Sequence, residues 1–197
     1  MISARFFRFV RWAALVALCA ALVCFNLPDG TTAAPPGGAA EGSLSDAPEG
    51  HEPGERLPDF ALTQTDGEAF TLSAHRGQVV VINLWATWCT PCVKELPHFD
   101  RLQREYGERV AVLGIHSDLI TDDVRGYLSN FDYGMGFAVD EGGGVIASLG
   151  GSTMLPQTVV LDGRGVVTYN QVGSLTYEAL EELVSAALDA GAPKEPG

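Results

Sequence analysis

The chain has 197 residues, of which 46% are hydrophobic and 19% are charged, and its formal net charge is −13 at pH 7. This length suffices for one ordinary domain with extensions, and the apolar content is high enough for a packed core. Three of the 12 basic residues are Arg5, Arg8 and Arg11, which leaves nine basic against 25 acidic residues in the rest of the chain. Such an acidic chain lacks the basic face that nucleic acids require, which argues against nucleic-acid binding.

Residues 1–27 have the pattern of a targeting segment. The three arginines precede Trp12–Leu27, a run that carries no charge. At about 16 residues, this run is slightly short for a membrane span and slightly long for the apolar core of a signal peptide. We predict an uncleaved, single-pass signal-anchor whose N-terminus stays in the cytoplasm, because positive charges favour that side of the membrane. The alternative is cleavage near the small residues at 32–34, which would leave a secreted or periplasmic protein.

Residues 28–55 are rich in proline, glycine, alanine and acidic residues, and they include few bulky apolar side chains. We predict that this segment is a disordered tether, because its composition offers little apolar surface to bury. The folded domain is predicted over residues 56–190. A disordered tail is predicted at residues 191–197.

Hydrophobic periodicity divides the folded domain into strands and helices. Two short strand-like runs flank the turn signal at Asp66–Gly67 and predict a β-hairpin. A nearly continuous apolar strand is predicted at Gln78–Trp85, as expected at the centre of a sheet that is covered on both faces. The elements predicted after it are a helix at Cys89–Tyr106, a strand at Arg109–His116, a helix from residues 121–123 to Phe131, a strand at Phe137–Val139, a short helix at Val145–Leu149, two antiparallel strands at Gln157–Leu161 and Gly165–Gln171, and a helix at Thr176–Leu188. The early strand–helix–strand unit predicts an α/β fold with parallel neighbouring strands.

Cys89 and Cys92 form a Cys-x-x-Cys pair directly after the predicted central strand. The other two cysteines, Cys19 and Cys24, lie in the N-terminal apolar run and are predicted to be membrane residues rather than lipidation sites. At a strand-to-helix junction the helix N-terminus stabilises a thiolate on the first sulfur, and the second cysteine can resolve a mixed disulfide. A structural disulfide would gain little from closing so small a loop, and a zinc site needs about four ligands. The pair therefore favours redox chemistry without a metal.

The segment 83–92 (NLWATWCTPC) resembles the active-site signature of the membrane-tethered TlpA/ResA/CcmG thiol-disulfide oxidoreductases. Pro97 matches the helix-kinking proline of that family, and residues 154–158 (MLPQT) resemble the segment that carries a cis-proline facing the disulfide. The resemblance extends over residues 56–188. It implies an α/β fold: a thioredoxin-like three-layer α/β/α sandwich with a mixed central sheet, an N-terminal β-hairpin and a central insertion at residues 117–140.

The resemblance also implies roles for individual residues. Cys89 and Cys92 would form the redox-active disulfide, with Cys89 as the attacking cysteine and Cys92 as the resolving one. Pro156 would be cis and would keep the backbone of Leu155 open for pairing with an extended substrate strand.

Glu95 is predicted to tune the thiols and to handle their protons, as the glutamate at this place does in the ResA-like enzymes. It lies three residues after Cys92, so the two side chains share a helix face. The buried acid of thioredoxin is replaced by Asn83 in this chain. Four further residues are predicted to contact the substrate: Trp88, Thr90, Pro91 and Leu155.

Two histidines of the domain are predicted to take no part in the chemistry. His98 is expected to be exposed, off the helix face of Glu95. His116 ends a strand, where a polar residue with satisfied hydrogen bonds is more common than a metal ligand. No histidine follows it, which argues against a copper site of the kind that copper chaperones with this fold use.

By this resemblance the chain is predicted to be an extracytoplasmic protein-disulfide reductase. Its predicted clients are cysteine pairs of exported proteins, first of all apocytochrome c during cytochrome c maturation. The alternatives are a reductase for copper-site cysteines in oxidase assembly, a disulfide-forming oxidase, and a non-catalytic thioredoxin-like binding module. Further predicted partners are a membrane thiol electron carrier that regenerates the reduced form and the membrane itself, but no nucleic acid. No cofactor is predicted beyond the Cys89–Cys92 disulfide.

Overall fold

The computed structural model describes residues 47–117, 123–151 and 154–191. The predicted signal-anchor, most of the predicted tether and residues 192–197 of the predicted tail lie outside these described residues. Within the three described ranges, no helix is long and apolar enough to cross a membrane.

The described residues form a β-hairpin followed by strands and helices in the predicted order. The elements are β1 (Ala61–Thr63), β2 (Ala69–Thr71), β3 (Val79–Trp85), α1 (Thr90–Tyr106), β4 (Val110–His116), α2 (Val124–Leu128), β5 (Gly136–Val139), α3 (Gly144–Ser148), β6 (Gln157–Leu161), β7 (Val167–Val172) and α4 (Tyr177–Gly191). Short 3-10 turns follow β2 at Leu72–His75 and α1 at Gly107–Arg109.

A mixed sheet with the strand order β5-β4-β3-β6-β7 runs through the centre of the domain. β3 and β4 are parallel, as are β4 and β5, whereas β6 is antiparallel to both β3 and β7. All seven residues of β3 are buried, which explains why this strand reads as a nearly unbroken apolar run. The register pairs Trp85 with His116 and Asn83 with Thr158, so these four side chains share one end of the sheet.

The sheet carries an apolar core on each face. On one face, α1 and α4 pack against the sheet through buried side chains that include Leu96, Phe99 and Leu180. On the other face, the N-terminal segment and α3 bury Leu57 and Leu149 against the sheet. The result is the predicted three-layer sandwich with a mixed sheet, which confirms the predicted fold class.

The domain begins earlier than the predicted boundary at residue 56. The backbone N–H of Arg56 donates to the carbonyl of Pro48, at 2.7 Å, and the N–H of Gly54 donates to the carbonyl of Val167 on β7, at 2.8 Å. The end of the predicted tether is therefore hydrogen-bonded to the sheet. Composition gave no sign of this, because backbone pairing needs no apolar side chain.

Two helix ends also differ from the sequence prediction. α2 ends at Leu128, before the predicted end at Phe131, and the side chain of Asp123 caps its N-terminus. α4 continues to Gly191, three residues past the predicted end at Leu188. Helix ends fray and their last turn is often of the 3-10 type, so helix boundaries are harder to predict than helix centres.

Phe99→Ala should lower the free energy of unfolding by about 3–5 kcal/mol, because it opens a cavity in the core beneath α1. Phe99 is fully buried, whereas Phe131 is 45% exposed and serves as the matched control. Phe131→Ala should cost about 1 kcal/mol or less. Urea unfolding of the oxidised proteins measures both changes, and equal losses would contradict the assignment of Phe99 to the core.

Candidate active site

The strand-to-helix junction places Cys89 at the N-cap of α1. Its backbone is extended there, and its sulfur accepts the backbone N–H of Cys92 at 3.3 Å. A disulfide joins Cys89 to Cys92, and their Cα atoms are 5.3 Å apart. Pro91 lies in the first turn, where a helix has no use for the missing N–H. This is the junction that the Cys-x-x-Cys spacing predicted.

The two sulfurs differ in exposure. Cys89 is 5% exposed, whereas Cys92 is completely buried. The first turn of α1 contains no acidic residue, so nothing there opposes the positive end of the helix dipole. An N–H donor and a helix N-terminus both favour a thiolate over a thiol, so this geometry stabilises a negative charge on Cys89. Of the two cysteines, Cys89 is therefore the one that is partly exposed and whose position favours a thiolate.

The loop before Cys89 is tied to the end of β4. The backbone N–H of Thr87 donates to Nε2 of His116 at 3.2 Å, and the N–H of Ser117 donates to the carbonyl of Trp85 at 2.9 Å. The imidazole of His116 is fully buried and packs edge-on against the indole of Trp85, with ring centroids 5.2 Å apart. Nε2 of His116 thus binds the backbone of the loop that precedes Cys89.

Glu95 is a buried carboxylate, only 2% exposed. Oε1 accepts a hydrogen bond from Nδ2 of Asn83 at 2.8 Å, and Oε2 accepts the backbone N–H of Leu175 at 3.0 Å. Burial raises the pKa of Glu95, and the donors at Leu175 and Asn83 and the nearby His98 oppose that rise. The residue that replaces the buried acid of thioredoxin, Asn83, therefore acts directly on the carboxylate at position 95.

The peptide bond between Leu155 and Pro156 is cis, as predicted. Pro156 is buried and Leu155 is half-buried. The next residue, Gln157, pairs with Leu84 in the sheet, so the cis peptide lies at the same end of β3 as the redox loop. The fold thus brings two segments together that are more than 60 residues apart in the sequence.

The predicted substrate-contacting residues lie on the surface around this junction. Trp88 is 51% exposed, and both Thr90 and Pro91 are exposed. Met154, which precedes the cis peptide, is 66% exposed and was not among the predicted site residues. Large exposed apolar side chains next to a reactive sulfur are suited to contact a protein partner.

The prediction for His98 was wrong. His98 is half-buried, and its Nδ1 lies 3.1 Å from the carbonyl oxygen of Leu175. Glu95 and His98 therefore bind the N–H and the C=O of the same residue. The spacing of three residues on α1 places the side chains of Glu95 and His98 near one another, but it gives no sign of their shared partner Leu175.

Within the described part of the chain, no group of three or more His, Cys, Asp or Glu side chains is arranged to hold a metal ion.

The family model for Redoxin matches residues 52–186. The chain belongs to the Redoxin family. It is 32% identical over 136 residues to the thioredoxin-like protein YneN of Bacillus subtilis, a match that covers 68% of this chain and 79% of that protein. It is 33% identical over 132 residues to the thiol-disulfide oxidoreductase ResA of Bacillus thuringiensis, covering 66% of this chain and 76% of ResA.

Two solved structures have a similar fold. One, from Chlorobium tepidum, is described as the thiol:disulfide interchange protein DsbE; it is 31% identical, with a TM-score of 0.63, and the match covers 70% of this chain and 98% of that one. Another is the exposed lipoprotein thioredoxin Etrx1 of Streptococcus pneumoniae, 25% identical, with a TM-score of 0.60, covering 66% of this chain and 99% of that one. With the Cys89–Cys92 pair at the helix N-terminus, these likenesses identify a thiol-disulfide oxidoreductase of the TlpA/ResA/CcmG type.

Glu95 should make the stability of the oxidised protein depend on pH. Its pKa is raised from 4.5 in the folded state, so between the ordinary and the raised value the folded state binds more protons than the unfolded state. The free energy of unfolding should therefore fall as the pH rises from about 4.5 through the raised pKa. Glu95→Gln should remove this fall, because the amide does not titrate.

Glu178→Gln is the matched control for this prediction. Hydrogen bonds from its own backbone N–H and from Thr176 lower the pKa of Glu178, so its removal should change the slope in the opposite sense. Urea unfolding across the pH range measures the slopes. Parallel curves for the wild type and Glu95→Gln would contradict a raised pKa at Glu95.

Proposed function

We propose that this thiol-disulfide oxidoreductase is a membrane-tethered, extracytoplasmic reductase that acts on cysteine pairs of exported proteins, with the haem-binding cysteines of apocytochrome c as its leading client. The observation that carries the proposal is the placement of the two sulfurs. Cys89 is reachable at the positive end of α1, Cys92 is buried beneath it, and the cis peptide at Pro156 lies at the same end of the sheet.

The reaction begins with the reduced protein. The thiolate of Cys89 attacks one sulfur of a client disulfide, so that a bond forms between the two sulfurs while the client's other sulfur leaves as a thiolate. The thiolate of Cys92 then attacks Cys89 and releases the client's second sulfur. Two electrons have passed to the client, whose two thiolates take up protons, and the protein is left with its Cys89–Cys92 disulfide.

Glu95 is proposed to take the proton of Cys92. A buried thiol does not ionise readily, because its anion loses the solvation of water. Glu95 lies one helical turn after Cys92 and is also buried, and burial raises the pKa of its carboxyl group, so the carboxylate is a better base than an exposed one. Asn83 holds that carboxylate in place.

The client is proposed to bind as an extended strand beside the cis peptide. The backbone of Leu155 would pair with it, in the manner of a strand added to a sheet edge. Trp88, Thr90 and Pro91 would contact it on the side of Cys89, and Met154 would contribute apolar surface on the side of Pro156.

The extracytoplasmic location is proposed from the charge pattern of residues 1–27 and from the likeness to an exposed lipoprotein thioredoxin. In an oxidising compartment the Cys89–Cys92 pair would remain a disulfide unless it is reduced. A membrane thiol electron carrier would supply the two electrons for each cycle, and the N-terminal anchor would keep the protein close to it.

Three other functions are distinguished by measurement. A reductase for copper-site cysteines shares the chemistry and differs in its client. A disulfide-forming oxidase shares the residues and differs in its reduction potential. A binding module would not form mixed disulfides.

Cys92→Ala should trap clients as mixed disulfides with Cys89, because the resolving sulfur is gone. Affinity purification from cells under non-reducing conditions, followed by mass spectrometry, identifies the trapped proteins. Cys89→Ala is the control and should trap few or none, since the remaining sulfur is fully buried. If Cys92→Ala traps nothing above this control, the protein is a binding module.

The reduction potential of the Cys89–Cys92 couple should lie near or below that of thioredoxin, about −270 mV. Equilibration with glutathione or dithiothreitol buffers measures it. A value near about −120 mV, as in a strong disulfide-forming oxidase, would overturn the reductase. Loss of c-type cytochromes in a deletion strain would support apocytochrome c as the client, and normal levels would exclude it.

A further inference from the structure

α1 presents two polar side chains to a single residue of a distant loop. Leu175 belongs to the segment that joins β7 to α4. Its backbone N–H donates to Oε2 of Glu95 at 3.0 Å, and its carbonyl oxygen lies 3.1 Å from Nδ1 of His98. The two contacts fix both polar groups of Leu175, although the sequence separations are 80 and 77 residues.

The direction of the His98 contact follows from the chemistry of its partner. A backbone carbonyl oxygen only accepts hydrogen bonds, so Nδ1 of His98 must carry the proton that is shared with Leu175. This holds whether the imidazole is neutral or charged, because both forms can carry a proton on Nδ1. His98 is therefore a donor to Leu175 and need not change its own protonation state to act.

The loop around Leu175 is held by hydrogen bonds to two other segments, because the backbone N–H of Gly173 donates to the carbonyl of Pro156, at 2.8 Å. The preceding Gly173 has φ = 131°, a backbone conformation that few other residues adopt, so the segment turns sharply there. The side chain of Leu175 is only partly buried against the core. The hydrogen bonds to Glu95 and His98 join the backbone of Leu175 directly to α1.

We propose that His98 is a positioning residue for the redox site: by donating its Nδ1–H to the carbonyl of Leu175, it holds the N–H of Leu175 on the carboxylate of Glu95. This inference rests on the proposed role of Glu95 as the proton partner of Cys92. It adds a residue that does not touch either sulfur and that acts through the backbone of another segment.

Loss of the contact between His98 and Leu175 should change the pKa of Glu95 in one direction only. A donated hydrogen bond stabilises a carboxylate relative to the acid, so losing the N–H of Leu175 raises the pKa of Glu95 further. Two other titratable groups interact electrostatically with this carboxylate. His98 on the same helix lowers the pKa of Glu95 by its charge, and Tyr169 on β7 has a pKa that burial raises and that the charge of Glu95 raises further.

The effect that the charge of His98 has on the pKa of Glu95 must therefore be separated from the effect of its hydrogen bond to Leu175. Glu178 on α4 also feels the charge of His98, which helps to lower its pKa, so the imidazole is electrostatically coupled to groups on two helices. His98→Asn removes the charge but keeps a donor, because Nδ2 of asparagine is the same number of bonds from the backbone as Nδ1 of histidine. His98→Phe keeps a ring and removes both the charge and the donor.

The test is the titration of the Glu95 carboxyl carbon by NMR in the oxidised protein, which needs no activity. His98→Phe should raise the midpoint by about half to one pH unit, which corresponds to about a three- to tenfold change in the ratio of acid to carboxylate. His98→Asn should restore most of the wild-type midpoint. His98→Leu provides a second donor-free variant if His98→Phe folds poorly.

The second readout is the pH profile for reduction of a disulfide-bonded peptide by the reduced protein. His98→Phe should move this profile to higher pH in parallel with the midpoint of Glu95. A loss of thermal stability without a shift of the Glu95 midpoint would overturn the proposal, as would equal shifts in His98→Phe and His98→Asn, which would assign the effect to charge.

Failure of the proposed function gives a different result. If Glu95→Gln leaves the pH profile of peptide reduction unchanged, Glu95 is not the proton partner of Cys92. The NMR midpoint in His98→Phe would still show whether His98 positions Leu175 on the carboxylate. The two ideas are therefore tested by separate measurements.

Discussion

The hydrogen bond from the backbone N–H of Cys92 to the sulfur of Cys89 is the contact on which the rest of the site depends. It requires a strand that ends just before Cys89, a helix that begins just after it, and a loop that holds the two in register. β3 is buried along its whole length between β4 and β6, which fixes the end of the strand. His116 and Ser117, at the end of β4, hold the backbone of the loop itself.

The two sulfurs are placed in different environments by only three residues of helix. Cys89 meets the surface at the positive end of α1, where donors stabilise a thiolate, whereas Cys92 is enclosed by the core. A buried thiol needs a nearby base before it can attack, and a buried carboxylate is suited to this because desolvation raises its pKa. In the proposed mechanism, thiol-disulfide exchange with a client would therefore take place at Cys89 near the surface, and proton transfer would take place between the buried Cys92 and Glu95.

Structural features that depend on local sequence patterns could be predicted from the sequence. β3 reads as an apolar run because both of its faces are covered, and the Cys-x-x-Cys spacing after it marks a helix N-terminus. The cis bond at Pro156 followed from family resemblance rather than from physics, since few X–Pro bonds are cis. The position of Glu95 on the same helix face as Cys92 could be predicted, but its hydrogen bond to Leu175 could not.

The errors share a cause with that missing contact. Hydrogen bonds that involve the backbone of distant segments carry no side-chain signature, so neither the pairing of Gly54 with Val167 nor the bond of His98 to Leu175 could be seen in the sequence. The first prediction rested on the low apolar content of residues 28–55, and the second rested on the position of His98 off the helix face of Glu95. The structure instead uses backbone groups as their partners, which satisfies polar atoms that packing alone would leave unpaired.

The contacts of the polar residues on α1 follow from the regular spacing of these residues along the helix. Cys92, Glu95 and His98 follow at intervals of three residues, and each interval turns about 60° short of a full circle around the helix. The series therefore winds from the sheet towards the loop that precedes α4, from two buried side chains to one that is half-buried. A change at His98 can alter the pKa of Glu95 without changing the hydrogen bond at Cys89, the N-cap of α1. The pH response of such a site can thus vary independently of the thiolate stabilisation that the helix end provides.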